Sequence, residues 1–194
     1  MRGWLATIWC AAAVVLSDCA APAVTLYTLG VPSAAPDTVP LGSKPVVIAI
    51  ARVSLPDELD TEDLFVRDGS MLRRSHQGRW ASRLSLGITD RLTERLMRRR
   101  PDALMTDRPL TETPAYRVLI NIGRLDVSTD GRATLDADWL VVPNDATLPA
   151  LRDRGHFAIA GSVATDQDIV TLVGLVVDRL ADAIALPGPR RRSR

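Results

Sequence analysis

Apolar and polar positions alternate along much of this chain, and the period changes at two places. Residues 24–29 (VTLYTL) read as a short strand. Residues 46–53 begin with Val46, Val47, Ile48, Ala49 and Ile50, an unbroken apolar run with the composition of a fully buried strand. Pro56 ends it. Leu64 to Arg67 and Met71 to Arg74 flank Asp68-Gly69, the arrangement of a hairpin with a tight turn. Over residues 81–98 the period becomes helical. Leu84, Ile88, Leu92 and Leu96 recur at i+4, and Leu86, Thr93 and Met97 widen the stripe. Arg98, Arg99 and Arg100 close that helix with cations at the negative end of its dipole, and Pro101 stops it.

The period then returns to two. Residues 103–106 read as a short strand and residues 116–127 as a long one. Asp130-Gly131 turns the chain into a partner strand in which Ala133, Leu135, Ala137, Trp139 and Val141 alternate with Thr134, Asp136 and Asp138. The parity puts both aspartates on the solvent face. Residues 155–163 supply a further strand. A last helix is predicted over 167–185, capped by Thr165 or Asp166, with Ile169, Leu172, Val173, Val176, Leu180 and Ile184 on its apolar face. Strands, a helix, a strand meander and a second helix give an α+β fold: an antiparallel or mixed sheet with two main helices packed on one face.

The ends of the chain have a different character. Arg2 precedes an apolar stretch from Leu5 to Leu16, about the length of a signal-peptide core and short of a bilayer span. The stretch ends in Leu16-Ser17-Asp18-Cys19. Leu16, Ser17 and Cys19 fit a bacterial lipoprotein signal, in which small side chains flank the cleaved bond and the thiol takes a diacylglyceryl group. Asp18 departs from that pattern. This reading assigns residues 1–18 to the signal and makes Cys19 the lipid attachment site. Cleavage after Ala21-Pro22-Ala23 would instead release a soluble periplasmic protein, and an uncleaved anchor is a third outcome. All three export the domain. Residues 30–45 carry four prolines and read as a linker or long loop. Residues 188–194 form a basic tail.

Composition narrows the chemistry. The chain has 194 residues, with 24 basic and 23 acidic side chains, so bulk charge gives no reason to expect nucleic acid. Two cysteines and two histidines exclude a disulfide framework and argue against a structural zinc site. No nucleophile elbow, phosphate-binding loop or dinucleotide fingerprint occurs. His76 and His156 stand alone in sequence, and Asp57 to Asp63 lacks the glycine and ligand spacing of a calcium loop. We therefore expect no enzyme, no cofactor and no metal. Trp80 and the Arg98-Arg99-Arg100 run are the candidate contact points for a partner or an anionic surface.

In order and spacing, these features resemble the ABC-type transport auxiliary lipoprotein family, of the paraquat-inducible PqiC type. The resemblance rests on the signal ending in Cys19, Leu26-Tyr27-Thr28-Leu29 before the proline-rich stretch, and VVIAIARVSLP running into Leu55-Pro56-Asp57-Glu58-Leu59. It continues through Arg79-Trp80-Ala81-Ser82-Arg83-Leu84, Pro101-Asp102, Arg108-Pro109-Leu110, the two long strands and the helix ending Ala181-Asp182-Ala183-Ile184-Ala185. It spans about residues 19–187. It implies a lipid-anchored protein on the periplasmic face of the outer membrane. Such a protein serves an inner-membrane ABC or related transporter and an MCE-domain partner that bridges the periplasm, and homo-oligomerisation is part of the picture. The resemblance carries over one functional residue, Cys19. The alternative is a periplasmic carrier of lipid or of a small apolar ligand.

Overall fold

The computed structural model describes residues 23–30, 41, 44–109 and 111–188. Cys19, the signal segment and the arginines from Arg190 onward lie outside the described residues. Among the described residues eight strands and two helices follow one another. They are β1 (Thr25–Tyr27), β2 (Val46–Ile50), β3 (Asp63–Asp68), β4 (Met71–Trp80), α1 (Leu84–Arg99), β5 (Ala103–Thr106), β6 (Tyr116–Val127), β7 (Arg132–Pro143), β8 (Leu151–Ala160) and α2 (Asp166–Ala183).

The α+β class expected from the pattern is observed, but the strands divide into two mixed sheets. The larger has the order β5-β2-β6-β7-β8 and the smaller β1-β4-β3. In the larger, β2 runs parallel to both β5 and β6, and β6, β7 and β8 form an antiparallel meander. Two parallel neighbours explain the unbroken apolar run of β2, of which Val47, Ile48 and Ile50 are buried. In the smaller sheet, β3 and β4 are the expected hairpin, and β1 lies parallel to β4. Gly69 and Gly131 take positive φ values of 59° and 82° in the two tight turns, a conformation that costs glycine little. Because β1 is built into a sheet, residues 30–45 join two strands of the domain and are not a spacer before it.

The two helices cover one face of the larger sheet, α2 lying against β6, β7 and β8 and α1 against β5 and α2. Leu84, Ile88, Leu92 and Leu96 are buried as expected. Leu86 and Met97 are not part of the stripe; they are 41% and 43% exposed. Thr93 is buried as expected, and the stripe widens on its side, through Ser85 and Thr89. Thr89 and Thr93 return their hydroxyls to the carbonyls of Ser85 and Thr89, and the Thr89 hydroxyl also accepts from the Val53 amide at 3.0 Å. A satisfied hydroxyl can sit in an apolar interface, so these polar letters conceal part of the buried face.

Thr165 is the N-cap of α2, and it forms a reciprocal capping box with Asp168. Ion pairs join the helices. Arg91 grips Asp178 with two hydrogen bonds of 2.8 Å, and Arg95 grips Asp182 at 2.9 and 3.0 Å. Apart from Val47, the buried apolar residues of both sheets and both helices form one cluster.

Strand β8 departs most from expectation. It starts at Leu151, four residues before the predicted start, and ends at Ala160. Its first half, Leu151-Arg152-Asp153-Arg154, is exposed and charged, which is why alternation of apolar residues did not mark it.

Candidate functional site

The open face of the larger sheet, opposite the helices, is concave. Cross-strand pairing sets its side chains in rows. Leu119 lies beside Leu140 and Arg152, Asn121 beside Asp138 and Arg154, and Arg124 beside Asp136 and His156. The first two rows floor a groove of about 770 Å³, with Arg52 and Ser54 along its rim. That volume is within the usual range of ligand sites, and the floor mixes leucines with charge.

Polar groups in the groove differ in how they are held. Asn121 Nδ2 donates to Asp138 Oδ1 at 3.2 Å. Arg52 is held to Asp60 at 3.2 Å and donates from Nε to the Ser85 hydroxyl at 2.8 Å. Burial pushes the Asp60 carboxyl up. The Ser85 hydroxyl and amide, with Arg52 and Arg83, outweigh that effect and hold it below its ordinary value. In the neighbouring row His156 Nδ1 meets Asp136 Oδ1. Arg152 and Arg154 are different: among the described residues neither has a carboxylate partner.

The sequence-selected residues occupy other places. Trp80 ends β4, is 5% exposed and belongs to the core, with its backbone amide donating to Glu62 O at 2.7 Å. Almost none of the indole is at the surface. Arg98 is exposed and pairs with Glu94 one turn back. Arg99 donates from Nη1 to the carbonyls of Ala181 and Ile184, capping the end of α2. Arg100 holds Asp102 with two hydrogen bonds of 2.8 Å and donates to Pro187 O. The Arg100 guanidinium keeps the Asp102 carboxyl below its ordinary value. Two of these three cations therefore fasten the end of α2 and the chain past it, although Arg99 is exposed as Arg98 is.

The acidic segment 57–63 is dispersed. Asp60 faces Arg52 and Arg83, and Asp63 faces Arg74 and Arg79. Among the described residues no three acidic, histidine or cysteine side chains converge as a metal site. No described helix is long and apolar enough to cross a membrane. The sequence reading passed over Arg152 and Arg154. Their spacing of two would have marked them as neighbours on one strand face, had the strand been started at Leu151.

Comparison with known proteins places the chain. The family model for the ABC-type transport auxiliary lipoprotein component matches residues 27–185. Among curated proteins none matches in sequence. A crystal structure of an uncharacterised protein superposes with a TM-score of 0.66 at 14% identity, covering 82% of this chain and 95% of the other. A DUF330 protein from Xanthomonas campestris superposes with a TM-score of 0.58 at 14% identity, covering 81% and 90%. These likenesses show the fold. A PelC dodecamer from Paraburkholderia phytofirmans gives a TM-score of 0.43 at 10% identity, covering 74% and 95%, too loose a likeness to bear on assembly.

Proposed function

The chain belongs to the ABC-type transport auxiliary lipoprotein family, and on that premise we propose that it is the membrane-tethered docking component of an envelope lipid-transport system. In this reading Cys19 carries the lipid. The folded domain receives an MCE-domain protein that spans the periplasm from an ABC or related inner-membrane transporter. The observation that supports it is the register of the family match, which begins at residue 27, a few residues beyond Cys19. A triacylated cysteine would hold the domain firmly, since a single acyl chain binds a bilayer only marginally. Ala20 follows Cys19 without the acidic residue that retains lipoproteins at the inner membrane, so the proposed address is the periplasmic face of the outer membrane.

Mass spectrometry of the mature N-terminus from native membranes, beside a Cys19→Ala control, tests the tether. Affinity capture from the same membranes tests the partner. An acylated Cys19 and a captured MCE-domain protein are the expected results. An unmodified N-terminus at Val24 would refute the tether and bring forward the carrier reading. That reading has the leucine-floored groove in its favour, and it predicts lipid copurifying with the released domain.

A further inference from the structure

The groove ends at an open strand edge. In the larger sheet β8 is an outermost strand of ten residues, and its opposite number β5 has only four. Register with β7 is continuous from Arg132↔Ala160 to Val141↔Leu151, without a bulge. β8 contains no proline and no lysine. Among the described residues no backbone group pairs with its outer side. A long, regular edge of this kind is a template for one more strand; proteins that have no use for it interrupt it with bulges or prolines or charge it, and the charge on β8 is confined to one end, at Arg152, Asp153 and Arg154.

The side chains of β8 state what that strand must carry. Arg152 and Arg154 stand two apart on the groove face, exposed; Asp138 lies directly across from Arg154 on β7, but among the described residues no carboxylate closes to ion-pair distance of either guanidinium. On the opposite face Phe157 and Ile159 are half-buried against the core. Most other arginines of the described chain are engaged: Arg67 and Arg124 share Asp126, and Arg91 and Arg95 hold α2. Neighbouring strands interact through directly opposed side chains, so the two guanidiniums select carboxylates at alternate positions. The half-buried apolar pair selects apolar residues at the positions between. A second copy of the same strand paired antiparallel about Asp153 would set Arg152 against Arg154, a repulsive arrangement.

We infer that the β8 edge and the adjoining groove bind an extended segment of a partner protein, one that alternates acidic and apolar residues and adds a sixth strand to the sheet. This inference rests on the docking role proposed above and names the surface for it. Main-chain hydrogen bonds supply affinity, and the alternating side chains supply the choice of partner.

The test uses the full-length protein solubilised from membranes and a labelled ten-residue peptide of alternating glutamate and valine, read by fluorescence anisotropy. Two controls accompany it. One replaces glutamate by lysine, and the other is methylated at every peptide nitrogen, which leaves its charge intact and removes every strand donor. The glutamate peptide should bind, and both controls should bind about tenfold more weakly or worse. The double variant Arg152→Glu, Arg154→Glu should lose binding to the same extent with an unchanged melting curve, both residues being exposed. Absence of binding at millimolar peptide overturns the inference. So does equal binding of the methylated peptide, or an unaffected double variant. Displacement of the peptide by phosphatidylglycerol vesicles, lost in the double variant, would make the surface a lipid headgroup site and also overturn it. Capture of the MCE-domain protein by the double variant as well as by the wild type would sink this surface and leave the docking role standing. Failure of the wild type to capture it would sink the role, whatever the peptide does.

Discussion

Gly174 lies on the buried side of α2, where a glycine is costly to the helix. Its replacement by alanine sets two effects of known size against each other. Alanine favours a helix interior by about 0.8–1 kcal/mol. Burying one more methyl group contributes about 0.8 kcal/mol. Against this stands Arg91. A Cβ at position 174 would lie 3.0–3.2 Å from Cζ and both terminal nitrogens of that guanidinium. The guanidinium is fixed by Asp178 on one side and by the Leu29 carbonyl, to which Nη1 donates. The Arg91 and Asp178 side chains are 22% and 20% exposed. Their pairing therefore belongs between an exposed ion pair, worth about 0.2–1 kcal/mol, and a buried one whose breaking costs about 3–5 kcal/mol. Displacing the planar group by a few tenths of an ångström weakens both its contacts together.

Gly174→Ala should therefore leave the wild type unchanged or slightly less stable. In an Arg91→Ala background the obstacle is gone, and the same substitution should stabilise by about 1–2 kcal/mol. Urea or thermal melts of the four proteins in this cycle give the coupling directly. In a domain of this size about 1 kcal/mol is about 2–4 °C in Tm, well within resolution. A full helix-propensity gain in the wild type, or the same increment in both backgrounds, would refute the argument that Arg91 needs the glycine.

Three further substitutions test other parts of the fold. Trp80→Ala should cost about 3–5 kcal/mol of stability, as removal of a core indole does, whereas Arg98→Ala should stay within about 0.5 kcal/mol; comparable losses would refute the core placement of Trp80. Thr165→Ala removes the cap and half of the capping box of α2, and a loss of about 1 kcal/mol in a urea melt is expected, an unchanged midpoint being the contrary result. Asp90 is exposed at the surface, and partial desolvation together with Asp107 pushes it above its ordinary value of 3.8, with Arg108 opposing. Ionisation of such a group costs the native state stability, a cost absent below the ordinary value and complete once the pH passes the raised one. Asp90→Asn should thus stabilise at pH 7 and give no gain below pH 3.8, and a gain independent of pH would contradict the pairing with Asp107.

The core of this fold was largely legible in the pattern of the chain. Leu84, Ile88, Leu92 and Leu96, the alternation from Ala133 to Val141, and the face of α2 from Ile169 to Ile184 all point inward as the spacing requires. What escaped was of two kinds. Thr89, unlike the expected Thr93, went unmarked: it is buried because its hydroxyl finds a carbonyl four residues back, and a hydropathy pattern counts it as polar. The division into two sheets depends on β1 and β4 pairing in parallel across about fifty residues, and nothing local to either strand records it. The surface was harder to read. Arg99 and Arg100 stand in a run of three cations but satisfy carbonyls beyond α2, while Arg152 and Arg154 lie in a stretch without apolar alternation. A cation's role depends on which acceptors the fold brings within reach, and that is a property of distant sequence.

The place of β1 also bears on the tether. Thr25 is already in the smaller sheet, paired with Gly78. Five residues lie between it and Cys19, which makes six steps along the chain, and a fully extended chain spans at most about 3.3–3.6 Å per step, or roughly 21 Å. On the proposed lipidation of Cys19, then, β1 stays within about two nanometres of the bilayer surface, and the proline-rich segment after Gly30 adds nothing to that reach because it starts beyond the strand in sequence. A tether this short restricts the domain to rotation over its anchor. Val24 and Leu26, which are 57% and 63% exposed beside the anchor, then belong to the side that meets lipid headgroups. The proposed periplasm-spanning partner would then arrive from the opposite direction, so a substitution that weakens docking should lie away from β1. Leu26→Asp is the informative control: it should alter membrane association of the acylated protein in a flotation assay and leave partner capture intact. Loss of capture with this variant would place the docking surface beside the anchor and refute the orientation.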